Sequence, residues 1–566
     1  MARPEKIRLG DLLISQGLLS QEQLLDCLSV QKQTGRKLGR VLEEKGFVTA
    51  AQIAGALARQ MGVPFVDLNQ FQIDTTIARL LPETQARRFR ALVLERTPGG
   101  YRVGFADPTD LFAYDEIARI LKANVDIAVV LEDHVLQVVD RIYRKTEEIT
   151  GLAKQLEADV GNALDFGNLL EATTQEDAPV VKLLQTMFED ATQVRASDIH
   201  IEPQENQLQI RFRIDGVLHP QTQSDPRIAA PLALRLKLMS GLDISEKRLP
   251  QDGRFVVKTR KSPLDVRIST MPTQFGESVV MRLLRKAEGV SNLADLNMPG
   301  EVLPRFREAI NRPNGLVLVT GPTGSGKTTT LYAALEELNG PDTKIITVED
   351  PIEYRLAGIT QVQVNEKIEL DFARVLRSAL RQDPDVILLG EMRDQETAQI
   401  GLRAALTGHM VLTTLHTNDA ASTPVRLMDM GVPAYLVATA VQGVLAQRLV
   451  RMVCERCGTD TPLDPHETAW LQRELGPGAP TTQRSGKGCN HCNSTGFLGR
   501  VGVYEYLEMT RPLIDACSHA DPNVFVTRAN EQLRSNGTMS QHAAQLVAAG
   551  RTTAYEAMRV SHQTED

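Results

Sequence analysis

Eight consecutive residues carry the clearest chemistry in this chain. Gly321-Pro322-Thr323-Gly324-Ser325-Gly326-Lys327-Thr328 follows the apolar run Leu316-Val317-Leu318-Val319, and Thr329 leads on into a helical pattern. Glycines at these positions let successive backbone N–H groups turn toward phosphate oxygens. Lys327 reaches the β- and γ-phosphates, and the Thr328 hydroxyl is a Mg²⁺ ligand. Carboxylates follow at two places. Ile345-Ile346-Thr347-Val348 runs into Glu349-Asp350-Pro351-Ile352-Glu353, and Val386-Ile387-Leu388-Leu389 ends in Gly390-Glu391. A phosphate loop with acids downstream suits phosphoryl transfer from ATP, which needs charge neutralisation and an oriented water rather than a covalent intermediate.

A second chemistry sits in the cysteines. Four of the six fall in Cys454-Glu455-Arg456-Cys457 and Cys489-Asn490-His491-Cys492. Two C-x₂-C pairs offer four thiolates to one Zn²⁺, which closes the coordination sphere and makes the ion structural. His491, between two ligands, reads as a bystander, and Cys27 and Cys517 read as small buried residues.

These groups need elements to hold them. The apolar runs ending at Thr320, Glu349 and Leu389 are four- to six-residue stretches of the kind buried on both faces of a parallel sheet, whose carboxyl ends bind ligands. The expected fold is multi-domain α/β, with a P-loop core over 298–450 and a Cys₄ segment over 451–500. A small α/β domain over 179–297 precedes the core, and a mostly helical domain over 501–566 follows it. Residues 146–178, acidic and weakly periodic, read as a linker after an N-terminal regulatory domain over 1–145.

At 566 residues and a net charge of −8, the chain has the size of a multi-domain machine whose surface repels nucleic acid and anionic lipid. One Trp, nine Tyr and 15 Phe leave few platforms for stacking bases. No apolar stretch reaches the ~18 residues needed to cross a bilayer, so membrane contact is expected through a partner.

The order of these signatures, with Leu380-Arg381-Gln382-Asp383-Pro384-Asp385, Gly390-Glu391-Met392-Arg393-Asp394 and Thr414-Leu415-His416-Thr417-Asn418, resembles the GspE/PilB family of type II secretion and type IV pilus assembly ATPases over about residues 180–560. The resemblance implies a RecA-like core and names four signatures: Walker A, Asp box, Walker B and His box. It implies that Lys327 and Thr328 bind phosphate and Mg²⁺, Glu353 is the general base with Glu349 in reserve, Glu391 supports Mg²⁺ and the γ-phosphate, and His416 senses the γ-phosphate. The 179–297 domain would be PAS-like and cover the nucleotide, with Arg267 and Arg282 reaching the γ-phosphate and Arg377 and Arg381 as further candidates. It also implies a cytoplasmic homo-hexamer acting on an inner-membrane platform protein, without nucleic acid. The tetracysteine segment resembles that of assembly rather than retraction motors. A signalling scaffold with a vestigial ATPase, or a nucleic-acid translocase, are the competing readings.

The N-terminal third contains a repeat of period 29. Arg8-Leu9-Gly10 recurs as Lys37-Leu38-Gly39, Leu13 as Leu42, Gly17 as Gly46, Leu28 as Leu57 and Gln31 as Gln60. The apolar positions suit two short helices per copy broken at the glycine. The recurring cation, glycine and glutamine are types that face ligands. The unit resembles the MshE-type N-terminal domain that binds cyclic di-GMP, with tandem motifs separated by Lys32 to Arg36. That implies Arg8 with Gln31 on one half of the ligand, Lys37 with Gln60 on the other, glycine backbone at Gly10 and Gly39, and Leu9, Leu13, Leu38 and Leu42 on the base faces. Lys37 stands where the family has arginine.

Overall fold

The computed structural model describes residues 9–34, 38–68, 71, 73–142, 146–162, 178–259, 263–284, 292–493, 495–517, 519 and 521–561. Four helices open the chain: α1 (Leu9–Ser15), α2 (Gln21–Thr34), α3 (Leu38–Glu44) and α4 (Ala50–Met61). Gln21 and Ala50, where α2 and α4 begin, stand 29 positions apart, so these helix starts follow the sequence period. Gly17 (φ 69°) and Gly46 (φ 70°) break each pair in the left-handed region, where a side chain is strained. A three-stranded sheet follows, β1 (Ala91–Thr97), β2 (Gly100–Phe105) and β3 (Asn124–Val129), with its own core.

Strands β4 (Ala196–Pro203), β5 (Leu208–Ile214), β6 (Val217–Ser224), β7 (Gln251–Lys258), β8 (Pro263–Thr273) and β9 (Gly276–Leu284) form an antiparallel sheet in the order β6-β5-β4-β9-β8-β7. Strict alternation along β5 buries Leu208, Ile210 and Phe212 against helices Pro179–Gln193 and Ala229–Ser240, the period-2 pattern of a sheet with one face inward. The expected linker gives way here. Residues Thr146–Asn162 form a helix whose Ile149, Ala153 and Leu156 lie in this same core. Its Thr150 hydroxyl is 3.1 Å from that of Thr222, and Glu157 accepts from the Asp225 N–H at 2.8 Å. The i, i+4, i+7 stripe outweighs the polar composition; residues 163–177 lie outside the described residues.

The catalytic candidates belong to a seven-stranded sheet of order β12-β11-β13-β14-β10-β15-β18. Its members are β10 (Gly315–Thr320), β11 (Ile345–Glu349), β12 (Thr360–Gln363), β13 (Val386–Leu389), β14 (Met410–Leu415), β15 (Val441–Val453) and β18 (Phe497–Glu508). All pairings are parallel except β15 with β18. Every residue of β10, β11, β13 and β14 is buried, as continuous apolar runs require. The boundaries expected at 450 and 500 cut through β15 and β18. These strands pair with each other across an insertion holding β16 (Gly458–Pro462), β17 (Thr482–Gly486) and helix Pro465–Leu475. Among the described residues no helix is long and apolar enough to cross a membrane.

Candidate nucleotide site and metal centre

The phosphate loop leaves the tip of β10, which lies between β14 and β15 in the sheet, and enters helix Lys327–Leu338. Gly321 (φ 144°), Gly324 (φ 81°) and Gly326 (φ 89°) take conformations that L side chains rarely adopt, and a Cβ on Gly321 would lie 2.3 Å from the Gln447 carbonyl oxygen. Gln447 of β15 straps the loop from beneath, donating to the Ser325 carbonyl at 2.7 Å and accepting from the Thr330 hydroxyl at 2.7 Å.

Lys327 is buried and its ammonium donates to the Gly321 and Pro322 carbonyls at 2.8 and 3.1 Å. Burial pushes it down to about 8, with Arg448 adding to the fall and Glu391 opposing it. A buried cation held by carbonyls alone lacks a counter-anion. The Ser325 hydroxyl oxygen is also buried without a partner. Both observations fit a site shaped for phosphate. Thr328 is exposed at the helix start, open to a metal-bound phosphate.

Two neighbouring strand tips supply the acids. Glu391, one residue beyond β13 and Gly390, forms an ion pair with Arg393 and lies 3.2 Å from His416 Nε2, just past β14. Arg393 also reaches Asp350 at 3.8 Å. In the Asp box, Glu349 is buried and its carboxylate accepts from the Tyr332 hydroxyl, from Thr347 Oγ1 at 2.6 Å and from Gln361 Nε2 at 3.2 Å. That carboxylate is committed to holding the loop, which argues against its reserve role as a base. Glu353 is half-buried and pairs with Arg267 at 3.3 Å, while Arg267 also donates to the Ile352 carbonyl at 3.0 Å. An arginine of β8 therefore crosses from the antiparallel sheet to the Asp box.

The other arginines go elsewhere. Arg282 pairs with Asp198 of its own sheet at 3.1 Å, Arg377 with Glu396, and Arg381 donates to the Arg377 carbonyl at 2.8 Å. Sequence reasoning missed Arg393 and Gln447. The polar pair Gln447-Arg448 between Val444-Leu445-Ala446 and Leu449-Val450 of β15 was the available signal.

The metal candidates come together. The thiol sulfurs of Cys454, Cys457, Cys489 and Cys492 all lie within 4.8 Å of one another. The 454–489, 457–492 and 489–492 separations are each 3.8 Å. A tetrahedron with Zn–S bonds of about 2.3 Å has edges of about 3.8 Å, whereas a disulfide needs about 2.05 Å. The donor set fits Zn²⁺. The Cys489 and Gly496 N–H groups each donate to Cys492 Sγ at 3.2 Å, a shell suited to a thiolate. His491 Nδ1 stands 3.6 Å from Cys454 Sγ, outside the four-sulfur set.

In the N-terminal repeat, Arg8 and Lys37 lie outside the described residues. Leu13 and Leu42 are fully buried in the core of the helix pairs. Gly10 and Gly39 have a packing reason: a Cβ there would meet Leu24 at 2.7 Å and Ile53 at 3.2 Å. Leu9 and Leu38 are only partly buried, and Gln60 is exposed.

Residues 173–559 match the family described as Type II/IV secretion system protein, and residues 61–149 match the MshEN domain, which begins where the described repeat ends. The chain is 42% identical over 517 residues to the type IV pilus assembly ATPase PilB of Myxococcus xanthus, covering 88% of this chain and 89% of that one. It is 38% identical over 574 residues to the type II secretion system protein E of Xanthomonas campestris, covering 100% and 99%. The Legionella pneumophila ATPase DotB superposes with a TM-score of 0.50 at 25% identity, over 67% of this chain and 95% of that one.

Proposed function

The chain belongs to the Type II/IV secretion system protein family, and on that premise we propose that it is a cytoplasmic ATP-hydrolysing motor that powers assembly of a type IV pilus or a type II secretion pseudopilus. The observation that carries this reading is the convergence of Lys327, Glu391, His416 and the Glu353–Arg267 pair on adjacent strand tips around one phosphate loop.

The loop N–H groups and Lys327 bind the ATP phosphates, which supplies the anion that Lys327 lacks. Thr328 and Glu391 would hold Mg²⁺, which supplies charge neutralisation on the phosphate oxygens. Glu353 takes a proton from the attacking water as its oxygen bonds to the γ-phosphorus and ADP leaves with the bridging electron pair. Before that, Arg267 must exchange Glu353 for phosphate, which frees the base and brings a cation to the transferring group in one movement. His416, against Glu391, is placed to report the γ-phosphate. Cys454, Cys457, Cys489 and Cys492 would hold a structural Zn²⁺ at the root of the insertion.

The units assort as an N-terminal regulatory region, a PAS-like domain whose β8 reaches the nucleotide, the motor core, the zinc insertion and the C-terminal helices. The proposal extends to a homo-hexameric ring acting on an inner-membrane platform protein, a reading supported by kinship with PilB and protein E. Cyclic di-GMP binding at the N-terminal region is supported by the MshEN match, with Arg8, Leu9, Gln31, Lys37, Leu38 and Gln60 as the residues that would touch it. ATP turnover by the purified full chain, lost on Lys327→Ala, tests the motor reading; zero turnover by the assembled wild type would end it.

A further inference from the structure

One buried cation has no place in the scheme above. Arg448 of β15 is 3% exposed, and its Nη2 donates to the Asn418 carbonyl at 3.0 Å and to the Asn418 side-chain oxygen at 3.2 Å. Its Nε and Nη1 are buried with no hydrogen-bond partner. Leaving donors of a buried guanidinium unpaired is costly, so packing alone does not account for arginine here.

Asn418 stands two residues past His416, and the loop between β14 and helix Ser422–Asp429 is held at three points. Thr320, the last residue of β10, accepts from the Thr417 N–H at 3.1 Å. Arg448 holds Asn418. Glu505 of β18, itself buried, accepts from the Ala420 N–H at 2.9 Å and from the Met539 N–H at 3.0 Å. Because Ala446 lies opposite Glu505 in the β15–β18 register, Arg448 and Glu505 project from the same sheet face one diagonal apart. The His416 side chain is half-exposed and pairs with Glu391, so its aim depends on the loop backbone that these groups fix.

We infer that Arg448 is a positioning residue for hydrolysis: by holding Asn418 it sets the backbone from which His416 meets Glu391. The charges near Arg448 are Lys327 on the phosphate loop, and Glu505 and Asp419. The inference rests on the motor reading, and its test includes a measurement that needs no turnover.

The test compares full-length Arg448→Met, which keeps volume and removes donors, with Asn418→Ala, which removes one acceptor and keeps the cation. Each is expected to lower kcat at least ~10-fold while KM for ATP moves less than ~3-fold. In a His416→Ala background either change should add less than ~2-fold, as for residues acting through one group. By hydrogen exchange on the nucleotide-free chain, amides 416–420 should exchange at least ~10-fold faster, with β10 unchanged. Unaltered exchange at 416–420, or a full additional loss of kcat in the His416→Ala background, overturns the inference. If Arg448→Met does not fold, Asn418→Ala carries both measurements. A wild type without turnover would defeat the motor reading while leaving the exchange result to judge the loop.

Discussion

The nucleotide site and the tetracysteine centre solve opposite problems. The first is assembled by topology: Lys327, Glu353, Glu391 and His416 come from four successive strand tips, and a sheet buried on both faces holds them whether or not a ligand is present. The second is assembled by two short turns at the root of an insertion, where β15 ends at Val453 and β18 begins at Phe497. Trp470 and Leu471, buried among the described residues of the insertion, pack into the core of the motor sheet, so a Zn²⁺ bound to the four thiols would do for the cysteine turns what a core of their own would do. Loss of one group should therefore remove chemistry from the first region and structure from the second.

The sharpest way to break that comparison is to take away the metal. Cys457→Ser or Cys492→Ser, or chelation of the wild type, should release one Zn²⁺ per chain and open 454–496 to protease. Binding and folding are one free energy in such knots, on the order of 10 kcal/mol in isolated peptides. Elemental analysis and limited proteolysis read this directly. A Cys492→Ser chain with an intact, protected insertion would show that its apolar contacts suffice.

In the nucleotide site the expected effect is smaller in free energy and purely kinetic. Glu391→Gln keeps shape and removes charge, so ATP should still bind while kcat falls at least ~10²-fold, with the melting temperature nearly unchanged. Binding of a fluorescent ATP analogue alongside turnover separates the two. Near-native turnover would remove Glu391 from the mechanism.

Between these extremes lies the contact that joins two sheets. Arg267→Ala should lower kcat by ~10- to 10²-fold with little change in ATP affinity, since its cation is needed as charge builds on the transferred phosphoryl group. Arg282→Ala, which here breaks a pair with Asp198, should cost less than Arg267→Ala. Equal kinetic losses would mean that Arg282 also reaches the nucleotide in the assembled ring.

The same contrast explains what could be read in advance. The phosphate loop and the C-x₂-C pairs were legible because their chemistry demands particular residue types at fixed short spacing. Strand tips were legible as apolar runs ending in acids. Arg448 showed only as a charge inside an apolar run, and its role did not, because its partner Asn418 lies 30 residues away and is held in part through a backbone carbonyl, an acceptor that leaves no mark in a sequence. Glu505 holds amides of Ala420 and Met539 for the same reason. The helix at 146–162 was hidden by its polar composition, although its apolar spacing was there to be counted. In the repeat, the period of 29 was plain, but the same glycines and leucines serve helix packing and ligand contact alike, so type alone did not separate the roles.

The smallest predicted effect probes the phosphate site without touching a residue. In the ligand-free chain, burial lowers Lys327 to about 8, below the ordinary lysine value near 10.4. A bound polyphosphate favours the charged form and must raise it again. Above pH 8 the free site is therefore increasingly deprotonated, and ATP binding must take up protons; below pH 7 the lysine is already charged and uptake should fade. Calorimetric titration at pH 8.5 in two buffers of different ionisation enthalpy should show uptake of a fraction of a proton per site. The same pair of titrations at pH 6.5 should show less from this group. Lys327→Arg keeps the cation but does not titrate in this range, so it should abolish the difference between the two pH values. Uptake at pH 8.5 that persists in Lys327→Arg would assign the proton to another group and leave Lys327 charged throughout.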